Sequence, residues 1–125
     1  MAREALKQTA ETLVEYCRTG QEEKGLEELY APDAVSVEPM AMPGTDSRET
    51  EGVEGIKGKH LWWSENFEVH GGDVQGPYFH GDDRFAVIFE IDATEKSSGK
   101  REKMKEVGLY TIDAAGKIRR EEFFY

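Results

Sequence analysis

The hydrophobic periodicity of the chain changes once, after Phe67, and this change constrains the fold more than any other feature. Before it, apolar residues recur at steps of three and four, which is typical of amphipathic helices. After it, apolar residues recur in alternation between turn-forming segments, which indicates long strands. Helices followed by a run of strands predict the α+β class, with the helices gathered on one side of an antiparallel sheet.

Three helices are predicted in the first part of the chain. The first spans 2–18, and the second spans 21–30, where Pro32 prevents it from continuing. The third begins near an N-cap at Ser47 or Thr50. One face of this third helix carries Val53, Ile56, His60, Trp63 and Phe67.

A strand is predicted at 34–37, and several long strands follow the third helix. Turn signals separate these strands at 71–72, 80–83, 97–99 and 113–116. Both faces of the long strands carry apolar residues, whereas a sheet with one face in water would alternate cleanly. We therefore expect one face to line a core or pocket and the other to pack against another surface, with a second subunit as the candidate.

Composition narrows the classes of partner. The 125 residues suit one domain, 1–125, and leave no room for a second core. With 26 Asp and Glu against 16 Lys and Arg, the formal charge is −10, which disfavours binding to nucleic acid. No apolar run approaches the roughly 20 residues that span a bilayer, and no signal-peptide core follows Met1, so we expect a cytoplasmic protein without a membrane partner.

Cysteine and histidine usage gives no pattern of a metal or cofactor site. Cys17 is the single cysteine, so it has no intrachain disulfide partner, and it lies on the apolar stripe of the first helix. The three histidines have no ligand spacing, and nucleotide-binding glycine patterns and zinc motifs are absent. We expect neither a metal nor a cofactor.

The order of elements resembles the superfamily of SnoaL-like, ketosteroid-isomerase-like and nuclear-transport-factor-two-like proteins. The resemblance covers nearly the whole chain and is carried by residues 25–39, 55–56, 110–118 and 120–125. It implies a cone-shaped, cystatin-like α+β barrel, in which three N-terminal helices pack on a highly curved antiparallel sheet around an apolar pocket. It also implies a homodimer through the outer face of the sheet. The fold hosts many activities, so the resemblance specifies the fold better than the reaction.

Glu38 is the first candidate for a catalytic residue. It precedes Pro39 at the end of the first predicted strand, where the resemblance implies the position of the isomerases' aspartate base. The isomerases also need a tyrosine and a protonated aspartate as oxyanion donors, but the same alignment places Val14 and Gly108 there. Each missing donor costs about 2.7–4 kcal/mol of transition-state stabilisation, which disfavours steroid-type isomerisation. The alternative is that Glu38 is a solvated carboxylate at a strand end.

Helix and loop residues add further candidates. His60 lies on the inward face of the third helix, where it is either a catalytic group or a core histidine bonded to a backbone carbonyl. Trp63 continues the same stripe as pocket floor or plain core. Met40 and Met42 form an apolar lip if their loop folds over the opening.

The late strands supply the remaining candidates. Glu106 and Tyr110 share one strand face, which the resemblance places toward the pocket, and Phe89 is expected to exclude water from it. Two registers of the last hairpin remain open. The family-like register puts Glu121, Phe123 and Tyr125 inside, whereas a bulge at Gly116 brings in Glu122 and Phe124 instead.

Two functions follow from these observations. The first is an acid–base enzyme of the isomerase, cyclase or dehydratase type, which acts on a small apolar carbonyl or hydroxyl compound with Glu38 moving the proton. The second is a non-catalytic module of the same fold, which binds a ligand or forms a dimer. The missing oxyanion donors favour the second, and the strand-end carboxylate beside an apolar cone favours the first.

Overall fold

The structure is a computed structural model that describes residues 2–41 and 45–125. The described residues form three helices and six strands. In chain order these are α1 (Ala2–Arg18), α2 (Glu22–Leu29), β1 (Tyr30–Val37), β2 (Glu49–Glu51), α3 (Val53–Asn66), β3 (Phe67–His80), β4 (Arg84–Glu95), β5 (Arg101–Ile112) and β6 (Ile118–Phe124).

The strands form one sheet in the order β2-β1-β6-β5-β4-β3. The pair β1 and β6 is parallel, and the other neighbouring pairs are antiparallel. The α+β class, with three helices packed on a mostly antiparallel sheet, is thereby confirmed. The sheet does not close into a barrel, because β2 and β3 remain its two edges.

Irregular pairing bends the long strands. The β3–β4 register shifts between Val69 and Gly71 and again between Gln75 and Tyr78, and such bulges kink a strand and increase its twist. Between these shifts the two backbones approach so closely that a Cβ at Gly72 would lie 2.2 Å from the carbonyl oxygen of Glu90. Glycine is therefore required at this bend.

The hydrophobic core lies between the helices and the concave face of the sheet. Leu6 of α1, Leu26 of α2 and Ile56 of α3 are fully buried there, and they meet Phe85 and Val87 of β4. Burial of each such side chain contributes about 1.5–3 kcal/mol. The core thus holds all three helices on one face, as the apolar stripes predict.

Several predicted boundaries differ from the structure, and the turn predicted at 71–72 lies inside β3. The first strand begins at Tyr30 instead of residue 34, although it contains Pro32. The β1–β6 register is broken between Tyr30 and Val35, so the missing N–H of the proline interrupts no regular ladder. Because this strand begins at Tyr30, α2 ends at Leu29.

The predicted N-cap of the third helix is wrong. The helix begins at Val53 after Gly52, and no side chain caps it. Thr50 lies in β2, which pairs with β1, so its backbone is extended instead of helical. At the other end the helical stripe stops before Phe67, which begins β3.

Candidate functional site

Three side chains meet where β1 and β6 end. Glu38 follows β1, Lys59 projects from α3, and Tyr125 follows β6. The Lys59 Nζ donates to Glu38 Oε1 at 2.8 Å, and the Tyr125 hydroxyl donates to Glu38 Oε2 at 3.1 Å. The side chains of Lys59 and Glu38 are only 10% and 12% exposed, so this ion pair is largely shielded from water.

A second carboxylate, Glu121, is buried deeper in the protein. It is 1% exposed and accepts a hydrogen bond from the Tyr30 hydroxyl and another, at 2.7 Å, from Ser36 Oγ. The parallel pairing of β1 with β6 sets Ser36 directly opposite Glu121. These bonds offset part of the cost of burying a carboxylate.

Lys59 joins the two carboxylates into one network. Its Nζ also donates to Ser36 Oγ, so hydrogen bonds run from Tyr30 through Glu121, Ser36 and Lys59 to Glu38. The same ammonium lies over the ring of Phe123, 5.2 Å from its centroid. A cation over an aromatic face in a shielded site is attracted by the ring quadrupole.

Glu106 lies on the inner face of β5 beside this network. Burial, followed by the negative charge of Glu38, raises the pKa of Glu106 to about 7, although Lys59 opposes the shift. A carboxyl group with this pKa exchanges its proton readily at neutral pH, as a general acid or base must. Phe89 of β4 pairs directly with Glu106 across the β4–β5 ladder.

His60 is half-buried next to Lys59 on α3. Burial lowers the pKa of His60, with the Lys59 charge acting in the same direction and Glu121 in the opposite one. Its imidazole is therefore biased toward the neutral form.

Burial also raises the pKa of Cys17, on α1, to about 12, so this thiol is held protonated.

Aromatic side chains form two stacked groups, one on strands β4, β5 and β6 and one at the end of α3. Tyr110 is 3% exposed and stacks on Phe85 with ring centroids 5.0 Å apart. Phe123 meets Tyr110 edge to face at 6.3 Å. On α3, Trp63 stacks on Phe67 at 4.0 Å and is partly buried.

Only one of the two methionines expected to form the apolar lip lies within the described residues. Met40 is 62% exposed, and Met42 lies outside the described residues.

Two surface hollows, of about 410 and 330 Å³, lie around the turn at 113–117, at the opposite end of β6 from Glu38. None of the predicted site residues lines either hollow.

The described residues contain neither a membrane-spanning helix nor a metal-binding cluster. No helix within 2–41 and 45–125 is long and apolar enough to cross a bilayer. In the same ranges, no three His, Cys, Asp or Glu side chains are grouped so that they would hold a metal ion.

Comparison with known families decides what the chain is related to. A model of the SnoaL-like domain family matches residues 5–125. The chain belongs to the SnoaL-like domain family. None of the curated proteins compared with this SnoaL-like chain matches it significantly.

Solved structures with the SnoaL-like fold agree with this assignment. A Mesorhizobium loti protein is 41% identical over 95% of this chain and 97% of its own, with a TM-score of 0.87; it carries a provisional description as a SnoaL-like polyketide cyclase, with carbohydrate phosphatase as a second description. The Δ5-3-ketosteroid isomerase from Mycobacterium sp. is 16% identical over 97% and 92%, with a TM-score of 0.65. A cystatin-like protein of unknown function from Xanthomonas campestris is 23% identical over 95% and 88%, with a TM-score of 0.70.

The structure brings several of the predicted residues together. Glu38, Glu106, Glu121, Phe123 and Tyr125 lie around Lys59 in this SnoaL-like domain, by direct contact or through charge. Glu121 pairs with Tyr110 and Phe123 with Gly108 across β5 and β6, which is the family-like register. Phe124, on the other face, is 50% exposed. The expectation that Tyr125 lies inside is wrong, because Tyr125 is 63% exposed and reaches Glu38 only through its hydroxyl.

Sequence reasoning missed three members of the network. Lys59, Ser36 and Tyr30 appear in none of the predicted sites, yet they link Glu38 to Glu121. Lys59 lies three residues after Ile56 and four before Trp63, so helical spacing alone places it on the inward stripe. Ser36 and Tyr30 required knowledge that β1 pairs with β6.

Proposed function

We propose that this protein is an acid–base enzyme that moves a proton on a small, mostly apolar carbonyl or hydroxyl compound. The observation that carries the proposal is the pair of inward-facing carboxyl groups, Glu38 and Glu106, in different environments. Glu38 is paired with Lys59 and Tyr125, whereas the pKa of Glu106 is raised to about 7. Carboxyl groups in unlike environments are the usual basis for separate acid and base roles.

The roles follow from these environments. The Glu38 carboxylate takes a proton from a carbon next to the carbonyl, and the C–H electron pair forms a carbon–carbon double bond. Glu106 gives its proton to the carbonyl oxygen, so that an enol forms without net change in charge. Lys59 and Tyr125 hold the Glu38 carboxylate in position, and Phe89 and Phe123 exclude water. Return of a proton to a different carbon completes an isomerisation.

Two relatives support this class of substrate. The Mesorhizobium loti protein, 41% identical, is provisionally described as a polyketide cyclase, and polyketides are rich in carbonyl groups. The ketosteroid isomerase shares the fold and acts on a carbonyl compound. We extend from these relatives only the carbonyl class of substrate.

Exchange of hydrogen for deuterium tests the proposal without knowledge of the natural substrate. A panel of small ketones is incubated with the protein in deuterated buffer at neutral pH, and loss of the α-proton signal is followed by NMR. We expect exchange above the buffer rate for at least one ketone. E38Q and E106Q should each reduce the enzymatic rate by a factor of about 100 or more. E90Q removes a glutamate on the outer face, paired with Lys105 at 3.7 Å, and should leave the rate unchanged.

A binding module is the second candidate, because the site's own residues already occupy both oxygens of Glu38 and both oxygens of Glu121. A module of this kind would raise its thermal midpoint with a ketone of the panel but would exchange no proton. That outcome would replace the enzyme by the binding module. Exchange that is equally fast in E38Q and E106Q would show that other residues carry the reaction.

A further inference from the structure

The hydroxyl of Tyr110 stands apart from the hydrogen-bond network described above. Tyr110 is 3% exposed, and its ring is fixed between the stacked ring of Phe85 and the edge of Phe123. Two aromatic contacts hold the ring in one orientation, so the hydroxyl points in a defined direction.

This hydroxyl has no hydrogen-bond partner within residues 2–41 and 45–125. Tyr30 provides the contrast, because it is also buried, at 8% exposed, and its hydroxyl donates to Glu121. In the same ranges no side-chain nitrogen or oxygen atom is both sealed from solvent and unpaired. The Tyr110 hydroxyl therefore keeps a small solvent-accessible surface, although the residue as a whole is only 3% exposed.

Gly108 keeps room for this hydroxyl. A Cβ atom at position 108 would lie 2.9 Å from Cε2 of Tyr110 and 3.1 Å from its hydroxyl oxygen. It would also lie 3.1 Å from Cε1 of Phe123. Any larger residue at 108 would therefore displace one of the two rings, so the glycine is what allows the tyrosine to turn its hydroxyl over the strand.

The charges around the Tyr110 hydroxyl favour the neutral phenol, which can donate a hydrogen bond, over the phenolate anion. Burial, followed by the charge of Glu121, raises the pKa of Tyr110 well above its usual value, so the phenol keeps its proton. Glu106 lies on the same face of β5, on the other side of Gly108. A neutral phenol in apolar, partly enclosed surroundings is a strong donor to a ligand oxygen, because little water competes for the hydrogen bond.

We propose that the Tyr110 hydroxyl donates a hydrogen bond to an oxygen atom of the ligand, and that Gly108 is the residue that makes this possible. The ligand is thus a compound with an acceptor oxygen on an apolar body. This inference rests on the proposed function for the presence of a small carbonyl or hydroxyl ligand, but it holds equally for an enzyme and for a binding module.

Infrared spectroscopy of bound acetophenone, labelled with ¹³C at the carbonyl carbon, tests the contact directly. We expect the carbonyl stretch of the bound compound to lie at lower frequency than in an apolar solvent, because donation weakens the C=O bond. Y110F should abolish this shift and weaken binding about threefold to tenfold. Y78F, which removes the hydroxyl of a tyrosine that is 51% exposed, should change neither quantity.

Ethylbenzene has the same apolar body without the oxygen and should bind equally to the wild type and to Y110F. A carbonyl shift that persists in Y110F would overturn the proposal, as would acetophenone that does not bind saturably. Success of the infrared test with no α-proton exchange would retain the ligand contact and reject the enzyme. Exchange that occurs with an unshifted carbonyl would reject the contact and retain the enzyme.

The thermal midpoints of the variants serve as a control for effects of the substitutions on folding. Because Tyr110 donates to no described residue, Y110F should keep the wild-type thermal midpoint, whereas Y30F should lower it by removing a donor from Glu121. G108A should unfold at a lower temperature and lose the carbonyl shift, since its Cβ displaces the Tyr110 ring. Equal destabilisation by Y110F and Y30F would show that the Tyr110 hydroxyl has a partner in the protein and would overturn the proposal.

Discussion

Lys59 is the side chain on which the candidate site depends, because it connects the shielded Glu38 to the buried Ser36–Glu121 pair. An ammonium group has three donors, and two of them are used here while the ring of Phe123 lies nearby. A largely buried ion pair of this kind is not in itself a strong source of stability. Removal of only one partner is nevertheless costly, because the other charge stays behind without compensation.

The coupling between Lys59 and Glu38 is therefore measurable. K59M should lower the free energy of unfolding by about 1–3 kcal/mol, because it removes the donor to Glu38 Oε1 and to Ser36 Oγ and leaves the Glu38 charge without its ion-pair partner. K59M/E38Q should be less destabilised than the sum of the two single variants, as a double-mutant cycle in urea would show. The exposed pair Lys100–Glu102, at 2.7 Å, is the matched control and should show no measurable coupling. Strict additivity at Lys59 and Glu38 would contradict the network.

Glu106 should make stability depend on pH. Its pKa is about 7 in the folded protein against a usual 4.5, so the folded state retains its proton to higher pH than the unfolded state does. The folded state is therefore increasingly penalised as the pH rises from about 4.5 through 7, and the penalty is constant above that range. E106Q, which is always neutral, should match the wild type near pH 4.5 and unfold at a higher temperature at pH 8. Calorimetry at both pH values checks this, and an equal difference at both would contradict it.

At the scale of elements, α3 is held by tertiary packing more than by its own sequence. It has no side-chain cap at Gly52 and contains Gly55 and Gly58, which are poor helix formers. Ile56 is fully buried and anchors it against the sheet. The helix that carries Lys59 and His60 is thus positioned by its contact with the core.

The two helical glycines permit a matched pair of substitutions. A Cβ at Gly58 would meet no atom within 4 Å, so G58A should stabilise the protein by about 0.5–1 kcal/mol. A Cβ at Gly55 would lie 3.0 Å from Cγ2 of Thr50, so G55A should gain less or lose stability. Urea unfolding of both variants checks this order, and the reverse order would contradict the described packing of α3 against β2.

The elements show what sequence could and could not predict. The boundaries of α1 follow from the spacing of Leu6, Ala10 and Leu13, because a local period decides them. The start of α3 did not follow, since Thr50 is a good cap by residue type but is drawn into β2 by pairing with Ser36. At Thr50 the pairing of β2 with β1 therefore outweighs the local preference of threonine for an N-cap position.

The candidate site was predictable in part for the same reason. Glu38, Glu106 and Glu121 stood out as carboxylates on apolar strands. Lys59 did not, because a lysine beside a helical stripe is usually solvated. Its bonds to Glu38 and Ser36 became visible only when β1, α3 and β6 were placed together.

At the scale of the whole molecule, the outer face of the sheet carries apolar residues, and none of the helices in the described part of the chain covers it. Ile88 and Leu109 are partly buried there, and Tyr78 and Phe124 are 51% and 50% exposed. We propose that a second copy of the chain covers this face, which is continuous across four strands. An apolar face of this kind is typical of a homodimer interface.

Light scattering at micromolar concentration checks the dimer. The wild type should have twice the mass of one chain, and I88E/L109E should have the mass of one, because two buried charges oppose association. L61E changes an apolar residue of α3 that is 58% exposed and should remain a dimer. A wild-type monomer would contradict the proposed interface.

The central claim is that the concave side of the sheet holds a carboxyl group able to exchange a proton at neutral pH. Titration of the glutamate side-chain carboxyl carbons by ¹³C NMR measures this most directly. The account predicts one glutamate with a midpoint near 7, which is absent in E106Q and shifts to lower pH in E38Q, where the neighbouring negative charge is removed. Titration of every glutamate near its usual value of about 4.3 would contradict it.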